Sequence, residues 1–410
     1  MTALTAPLTL DQARELDRDD ELAEFRDRFV PIEDPGVVAY LDGNSLGRPP
    51  RSTVDIVREL VTAQWGSRMI RSWEEGWLEL PEQVGDRLGA ACLGAAPGQV
   101  VVADSTSLCL HKALRAARAL RPDRTEIVTD ALNFPTDRYV VEAVAEDLGL
   151  TVRWVDTDLA GGITAEALAG ALTPNTAVVT LSHVAYRSAY LADMAALNEL
   201  VHAAGALVVW DLCHSAGVVP VHLDRTGTDF AVGCTYKFLN AGPGAPAFLY
   251  VNTRHQNGFS APLRGWMGTA EIFDMDAGFR PAQGIRRALS GTPNILGVAC
   301  VGAGVDMIAE AGIDRVRAKS MALTRMTIDL ADAWLAPLGF TLASPRAEER
   351  RGGHLTLAHP DAQNLTRRLI DRGILLDFRP PQGIRLGMSP LSTSYEEVWT
   401  ALDRMRVLAR

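Results

Sequence analysis

Lysine is the rare cation of this chain: of its 40 basic residues, three are lysines, Lys112, Lys237 and Lys319, and the rest are arginines. An arginine keeps its proton, whereas a desolvated lysine amine can lose it and attack a carbonyl, so each remaining lysine is a candidate for work that needs an amine. Lys112, in LCLHKALRAARAL, and Lys319, in IDRVRAKSMALTRM, sit in helical apolar spacing, which predicts a solvated helix face for both. Lys237 closes the nearly uncharged run DFAVGCTYKF, just before the turn LNAGPG. The spacing predicts a lysine at the end of a buried strand, either as a catalytic amine or as half of a buried ion pair.

Three further groups stand where strands are predicted to end. Ser105, Thr106 and Ser107 follow QVVVAD and open a helix, as a plain N-cap or as a phosphate cup of hydroxyls and backbone amides. Asp211 ends ALVVWD with His214 just beyond, and an acid there can hold a protonated ring nitrogen or simply cap a turn. Phe134, in LNFPTDRY with Asp137, is a stacking face for a flat ring or a core side chain. A phosphate cup, an acid at one strand end and Tyr236 with Lys237 at another match an aldehyde cofactor with a phosphate arm and a pyridine ring. Together they specify pyridoxal 5′-phosphate far more sharply than any one does.

These residues need a scaffold, and the apolar patterning supplies one. QVVVAD, TEIVTD, TVRWVD, AVVTLSHV, ALVVWD, FAVGCTYK and AFLYVN read as strands, with helical stretches such as CLHKALRAARAL, DRYVVEAVAEDLG and ADMAALNELVHAAG between several of them. That alternation predicts an α/β fold, a mostly parallel sheet flanked by helices with ligands at the carboxyl ends of its strands. We expect a large domain over 61–305 and a smaller α+β domain over 306–410, with shorter strands such as GGHLTLAH and GILLDFR and with help from an N-terminal segment 1–60.

Composition narrows the function classes. With 410 residues, 47% hydrophobic content and a net charge of −10, the chain can fill a large core but lacks the basic surplus that nucleic acid or an anionic membrane would require. The five cysteines, Cys92, Cys109, Cys213, Cys234 and Cys300, form no CxxC pair, so neither a disulfide framework nor a metal site is expected, and a reducing cytoplasm fits. The acidic N-terminal stretch reads as neither secretion leader nor membrane span. No GxGxxG follows a strand, which argues against a nicotinamide-binding fold.

The segments YLDGNSLGRPP (40–50), WGSRMIRSWEEGW (65–77), NFPTDRY (133–139), WDLCHSAG (210–217), CTYKFLNAGPG (234–244) and GIRLGMSPL (383–391) resemble, in order along the chain, the kynureninase family of fold-type-I pyridoxal-phosphate enzymes. The resemblance implies that Lys237 binds the cofactor aldehyde covalently, that Asp211 pairs with the pyridine nitrogen, and that Phe134 stacks on the ring. Asp137, Ser182 and His214 would line the cofactor. Thr106, Ser107 and Tyr236 would hold the phosphate, with Trp266 and Thr292 supplied by the second subunit of a homodimer. Arg385 would clamp the substrate α-carboxylate by two hydrogen bonds, with Ser45, Trp73 and Thr292 also at the substrate. The implied reaction is hydrolysis of kynurenine to anthranilate and alanine in tryptophan breakdown, with Tyr236 a candidate proton donor. Trp73 and Thr292 follow the form that prefers kynurenine over its 3-hydroxylated relative. Met267, Thr269, Ala185 and Ser392 depart from the family pattern and bear on which aryl ring is taken. Rivals within the fold are an aminotransferase and a desulfurase, the latter needing a mobile nucleophilic cysteine.

Overall fold

The structure, a computed structural model, describes residues 7–274 and 278–410; the N-terminal expectation above falls partly on residues 1–6, outside them. A two-residue strand, β1 (Ala39–Tyr40), precedes the main sheet. That sheet is built from β2 (Val100–Val102), β3 (Glu126–Asp130), β4 (Thr151–Val155), β5 (Thr176–Ser182), β6 (Leu207–Asp211), β7 (Phe230–Gly233) and β8 (Phe248–Val251), in the order β2-β8-β7-β6-β5-β3-β4. The four pairings from β4 to β7 are parallel, while β8 runs antiparallel to both neighbours. Valine, leucine and isoleucine dominate these strands, and β2, β6, β7 and β8 are buried throughout because helices cover both faces.

All seven predicted strands form, several of them shorter than their runs, and one ends four residues early. β7 stops at Gly233, so Cys234–Lys237 lie in a turn beyond it rather than at the end of a longer strand. Helix starts are set by local chemistry. Ser105 Oγ accepts from Leu108 N at 3.4 Å to cap the helix Thr106–Ala119, and Pro135 opens the helix Pro135–Leu148, whose end is closed by the left-handed Gly149.

The smaller sheet comprises β9 (Thr341–Leu342), β10 (His354–Ala358), β12 (Asp377–Arg379) and β13 (Gly383–Gly387), all antiparallel, in the order β12-β13-β10-β9. GILLDFR, expected as one strand, divides at Leu376: β11 (Ile374–Leu375) leaves this sheet to pair in parallel with β1. The small core joins Ala13, Ala39 and Leu41 to Leu323, Leu355, Ile384 and Leu402. The change of core falls between Val316 and Leu323, inside the helix Ile313–Leu330, whereas the sequence-based boundary stood at 305/306.

The expectation of solvated faces for Lys112 and Lys319 is overturned. Lys112 is 1% exposed and donates to Asp104 Oδ2 at 2.6 Å and to the carbonyl of Ala288 at 2.7 Å. Lys319 is also buried, 2.6 Å from Asp20 Oδ2. Both partners come from outside the helical window in which each lysine was read, so periodicity alone had no access to them.

Candidate active site

The carboxyl end of β6, the segments that follow β3 and β7, and the start of the helix Thr106–Ala119 after β2 open on one cavity of about 220 Å³. Thr106, Ser107, Phe134, Asp137, Asp211, His214, Tyr236 and Lys237 all line it, together with Asp104, Ser105, Thr136, Cys213, Gly244 and Ala245. Lys237 Nζ lies 3.2 Å from His214 Nε2 and 5.9 Å from the ring centres of both Phe134 and Tyr236. Burial, reinforced by the neighbouring lysine charge, holds the His214 imidazole well below its ordinary pKa, so it faces the amine uncharged. Burial, and then the thiol of Cys234, pushes the Tyr236 phenol upward, and it keeps its proton through the neutral range.

Asp211 is held by two contacts: Cys213 N–H donates to Oδ1 at 2.8 Å and Ser182 Oγ lies 3.2 Å from Oδ2. Ser182 ends β5 beside Asp211, its partner in register on β6, and its hydroxyl also reaches Asn133 Oδ1 at 2.7 Å. Asn133 was not anticipated; its place two residues before a helix-opening proline was the one available signal. Asp137, in the first turn of the helix Pro135–Leu148, is 4% exposed, and burial followed by the charge of Asp211 pushes its carboxyl well up. Its Oδ2 and the Nδ2 of Asn133 are buried without hydrogen-bond partners among the described residues.

These features fit a phosphorylated pyridine aldehyde. Two neighbouring buried carboxyls would favour a cationic ring N–H at Asp211, and the orphaned buried atoms call for a polar partner. The first N–H groups of the helix Thr106–Ala119, flanked by two hydroxyls, suit a phosphate.

Other candidate residues lie elsewhere in the subunit. Trp73 and Trp266 pack edge to face with centroids 6.4 Å apart and do not line the Lys237 cavity, nor does the exposed Thr292. Arg385, on β13, is buried; its Nε and Nη2 reach Asp377 Oδ1 and Oδ2 at 3.0 and 2.7 Å, Nη1 donates to the carbonyl of Tyr186 at 2.8 Å, and Nη2 donates to Ser45 Oγ at 2.8 Å. Tyr186 links this group to the cavity, its ring lying edge-on to Phe134 at 5.3 Å, and the same carbonyl lies 3.2 Å from Nε2 of the buried His354. Neither Asp377 nor His354 was singled out from sequence. The segment Leu41–Gly47 ties the two halves together. Gly387 N–H donates to the Leu41 carbonyl and Gly47 N–H to the Tyr236 carbonyl, both at 2.7 Å. A Cβ at Gly47 would come within 2.2 Å of the Lys237 carbonyl oxygen, so no larger residue fits there.

The fold and this cavity define the class, that of the fold-type-I pyridoxal-phosphate enzymes. The chain aligns with the apo structure of a cysteine desulfurase from Thermococcus onnurineus NA1 at a TM-score of 0.82 and 22% identity, covering 94% of this chain and 98% of the other. With a C-DES mutant that carries glycine covalently linked to the PLP cofactor, the TM-score is 0.81 at 17% identity, covering 93% and 98%. Residues 90–234 match the DegT/DnrJ/EryC1/StrS aminotransferase family, and residues 316–405 match the Kynureninase C-terminal domain. The chain is 43% identical over 395 residues to a kynureninase of Pseudomonas fluorescens, covering 95% of this chain and 92% of the relative. To a kynureninase of Burkholderia pseudomallei strain 1106a it is 41% identical over 405 residues, covering 97% and 95%. This chain belongs to the kynureninase family, and its cofactor is pyridoxal 5′-phosphate.

Proposed function

We propose that the protein hydrolyses the Cβ–Cγ bond of L-kynurenine to give anthranilate and L-alanine, with 3-hydroxy-L-kynurenine as the second substrate to test. One observation carries this reading: the Lys237 amine shares a cavity with the Asp137–Asp211 carboxyl pair and a helix N-terminus, in a chain with kynureninase relatives over nearly its whole length. Thr106, Ser107 and Tyr236 would take the cofactor phosphate, Asp211 the ring nitrogen and Phe134 the ring face. When bound, the cofactor supplies an electron sink for the charge left at the substrate α-carbon.

The protein's own groups do the remaining work. Lys237 Nζ removes the α-proton, with the uncharged His214 ring beside it. Water adds at the γ-carbonyl, the Cβ–Cγ bond breaks, the β-carbon takes a proton, and Lys237 returns a proton to the α-carbon to give L-alanine. Tyr236 Oη, kept protonated by its burial, donates in these later steps. Arg385 receives the α-carboxylate, and Ser45 steadies its guanidinium.

A desulfurase is not favoured: four of the five cysteines are buried and Cys300 is half-buried, so none offers a mobile nucleophile. We further propose a cytoplasmic homodimer whose second subunit brings Trp266 and Thr292 to the cavity. Phe273 lies exposed against Trp266, and Trp65, Met69 and Ile70 are exposed on the helical segment that leads to Trp73, apolar surface suited to a second copy. No single described helix is long and apolar enough to cross a membrane, and the bent pair Ile295–Ala311 and Ile313–Leu338 that passes on length and composition is largely buried.

Mixing the cofactor-loaded protein with each kynurenine and following the anthranilate product and alanine tests the reading. We expect turnover of L-kynurenine. Absence of product from both substrates, with the cofactor absorbance intact, overturns it.

A further inference from the structure

The fork of Arg385, the geometry that recognises a carboxylate in two parallel hydrogen bonds, is already filled by a carboxylate of the same chain. Asp377 and Arg385 are direct partners in register across β12 and β13. A guanidinium can receive only one carboxylate on that edge, and a buried arginine without a counter-charge is costly, which gives the empty site a reason to hold its own anion.

Asp377 also has somewhere to go. Arg379, two residues along the same face of β12, already places Nη2 2.5 Å from Asp377 Oδ2, and its Nε is buried without a hydrogen-bond partner among the described residues. A rotation of the Asp377 side chain toward Arg379 would fill that unused donor and preserve a bidentate pair. Arg379 is only partly buried and borders a cleft of about 130 Å³, so it has room to follow. Behind the pair sits Asp42, one of whose oxygens is buried and unpartnered; burial and the charge of Asp377 push its carboxyl up to about 6. A third carboxylate could not enter this group while Asp377 stayed in place.

We propose that Asp377 is a stand-in for the substrate α-carboxylate, holding the Arg385 fork until a ligand carboxylate displaces it onto Arg379, so that only ligands bearing that group open the site. The inference rests on the reading that Arg385 receives the α-carboxylate.

The test uses the cofactor-loaded protein titrated with L-alanine and with ethylamine, its carboxylate-free analogue, following the cofactor absorbance. D377N is expected to bind L-alanine about tenfold tighter than the wild type and R379M about tenfold weaker, because one loses the competitor and the other its landing place. Ethylamine affinity should not move in either. In turnover, KM for kynurenine should follow the same directions with kcat nearly constant. L-Alanine affinity in D377N that is unchanged or weaker, while R385Q has lost it, overturns the exchange and makes Asp377 an orienting residue for Arg385. Wild-type L-alanine affinity in R385Q overturns the clamp reading itself. Should D377N not fold, an unaltered affinity in R379M overturns the exchange by itself.

Discussion

A tyrosine beside an amine, both half-buried in one cavity, sets the chemistry available to this site at the scale of single residues. Tyr236→Phe removes the proton and leaves the ring, and we expect kcat for kynurenine to fall by about 100-fold, the usual reach of a positioned general acid; undiminished turnover would remove Tyr236 from the donor role. Lys112 invites a second test. Lys112→Met leaves Asp104 without its partner directly ahead of the proposed phosphate-binding turn, and should cost about 3 kcal/mol of stability, read from denaturant unfolding. The scarcity of lysine was legible in the sequence and singled out three positions, two of which, Lys112 and Lys319, were read as solvated and are buried ion pairs. It could not separate a reactive amine from a buried ion pair, because that depends on Asp20, nearly 300 residues from Lys319, and on a carbonyl from Ala288. For the same reason the contact between Asp137 and Asp211 was invisible until their two elements were set side by side.

Strands and helices were read more easily, since hydrophobic runs and caps act within a few residues. β2 to β8 all stand where their apolar runs predicted, and β2, β3, β6 and β7 bring the residues at or just after their ends to the Lys237 cavity. What failed was extent, in the turn after β7 and at the split of GILLDFR, where pairing with β1 pulls β11 out of the smaller sheet. The helix Tyr395–Leu408 shows how an element can carry a pH dependence. Its capping-box acid, Glu397, accepts from Tyr40 N–H at 2.6 Å and from Ser394 N–H at 3.3 Å, and burial pushes its carboxyl up to about 7 from an ordinary 4.5. A carboxyl whose folded pKa is raised favours the fold while protonated, so its contribution is whole below about pH 4.5 and lost as pH rises through 7. The wild type should therefore lose roughly 3 kcal/mol across that window through this group. Glu397→Gln should flatten that part of the profile, measured as Tm against pH, and an unchanged slope would assign the dependence to other groups.

For the whole molecule, the Lys237 cavity and the Trp73–Trp266 pair stand apart within one subunit, and the proposed dimer joins them. Inactive Lys237→Ala and Trp266→Ala proteins, unfolded together and refolded as a mixture, should regain about a quarter of wild-type activity, since half the dimers are hybrids with one intact site each. No recovery would place Trp266 outside the partner's site. The sequence suggested this proposed arrangement only through its resemblance to a family, because no spacing within one chain records where a second copy would sit. The strap at Leu41–Gly47 carries one more consequence, for the order in which the protein can mature. Ser45 meets Arg385 across 340 residues, so during synthesis the strap waits on the order of tens of seconds before its counterpart leaves the ribosome. The scaffold around the amine can gather first, but the proposed seat for the substrate is completed only after Arg385 has been synthesised.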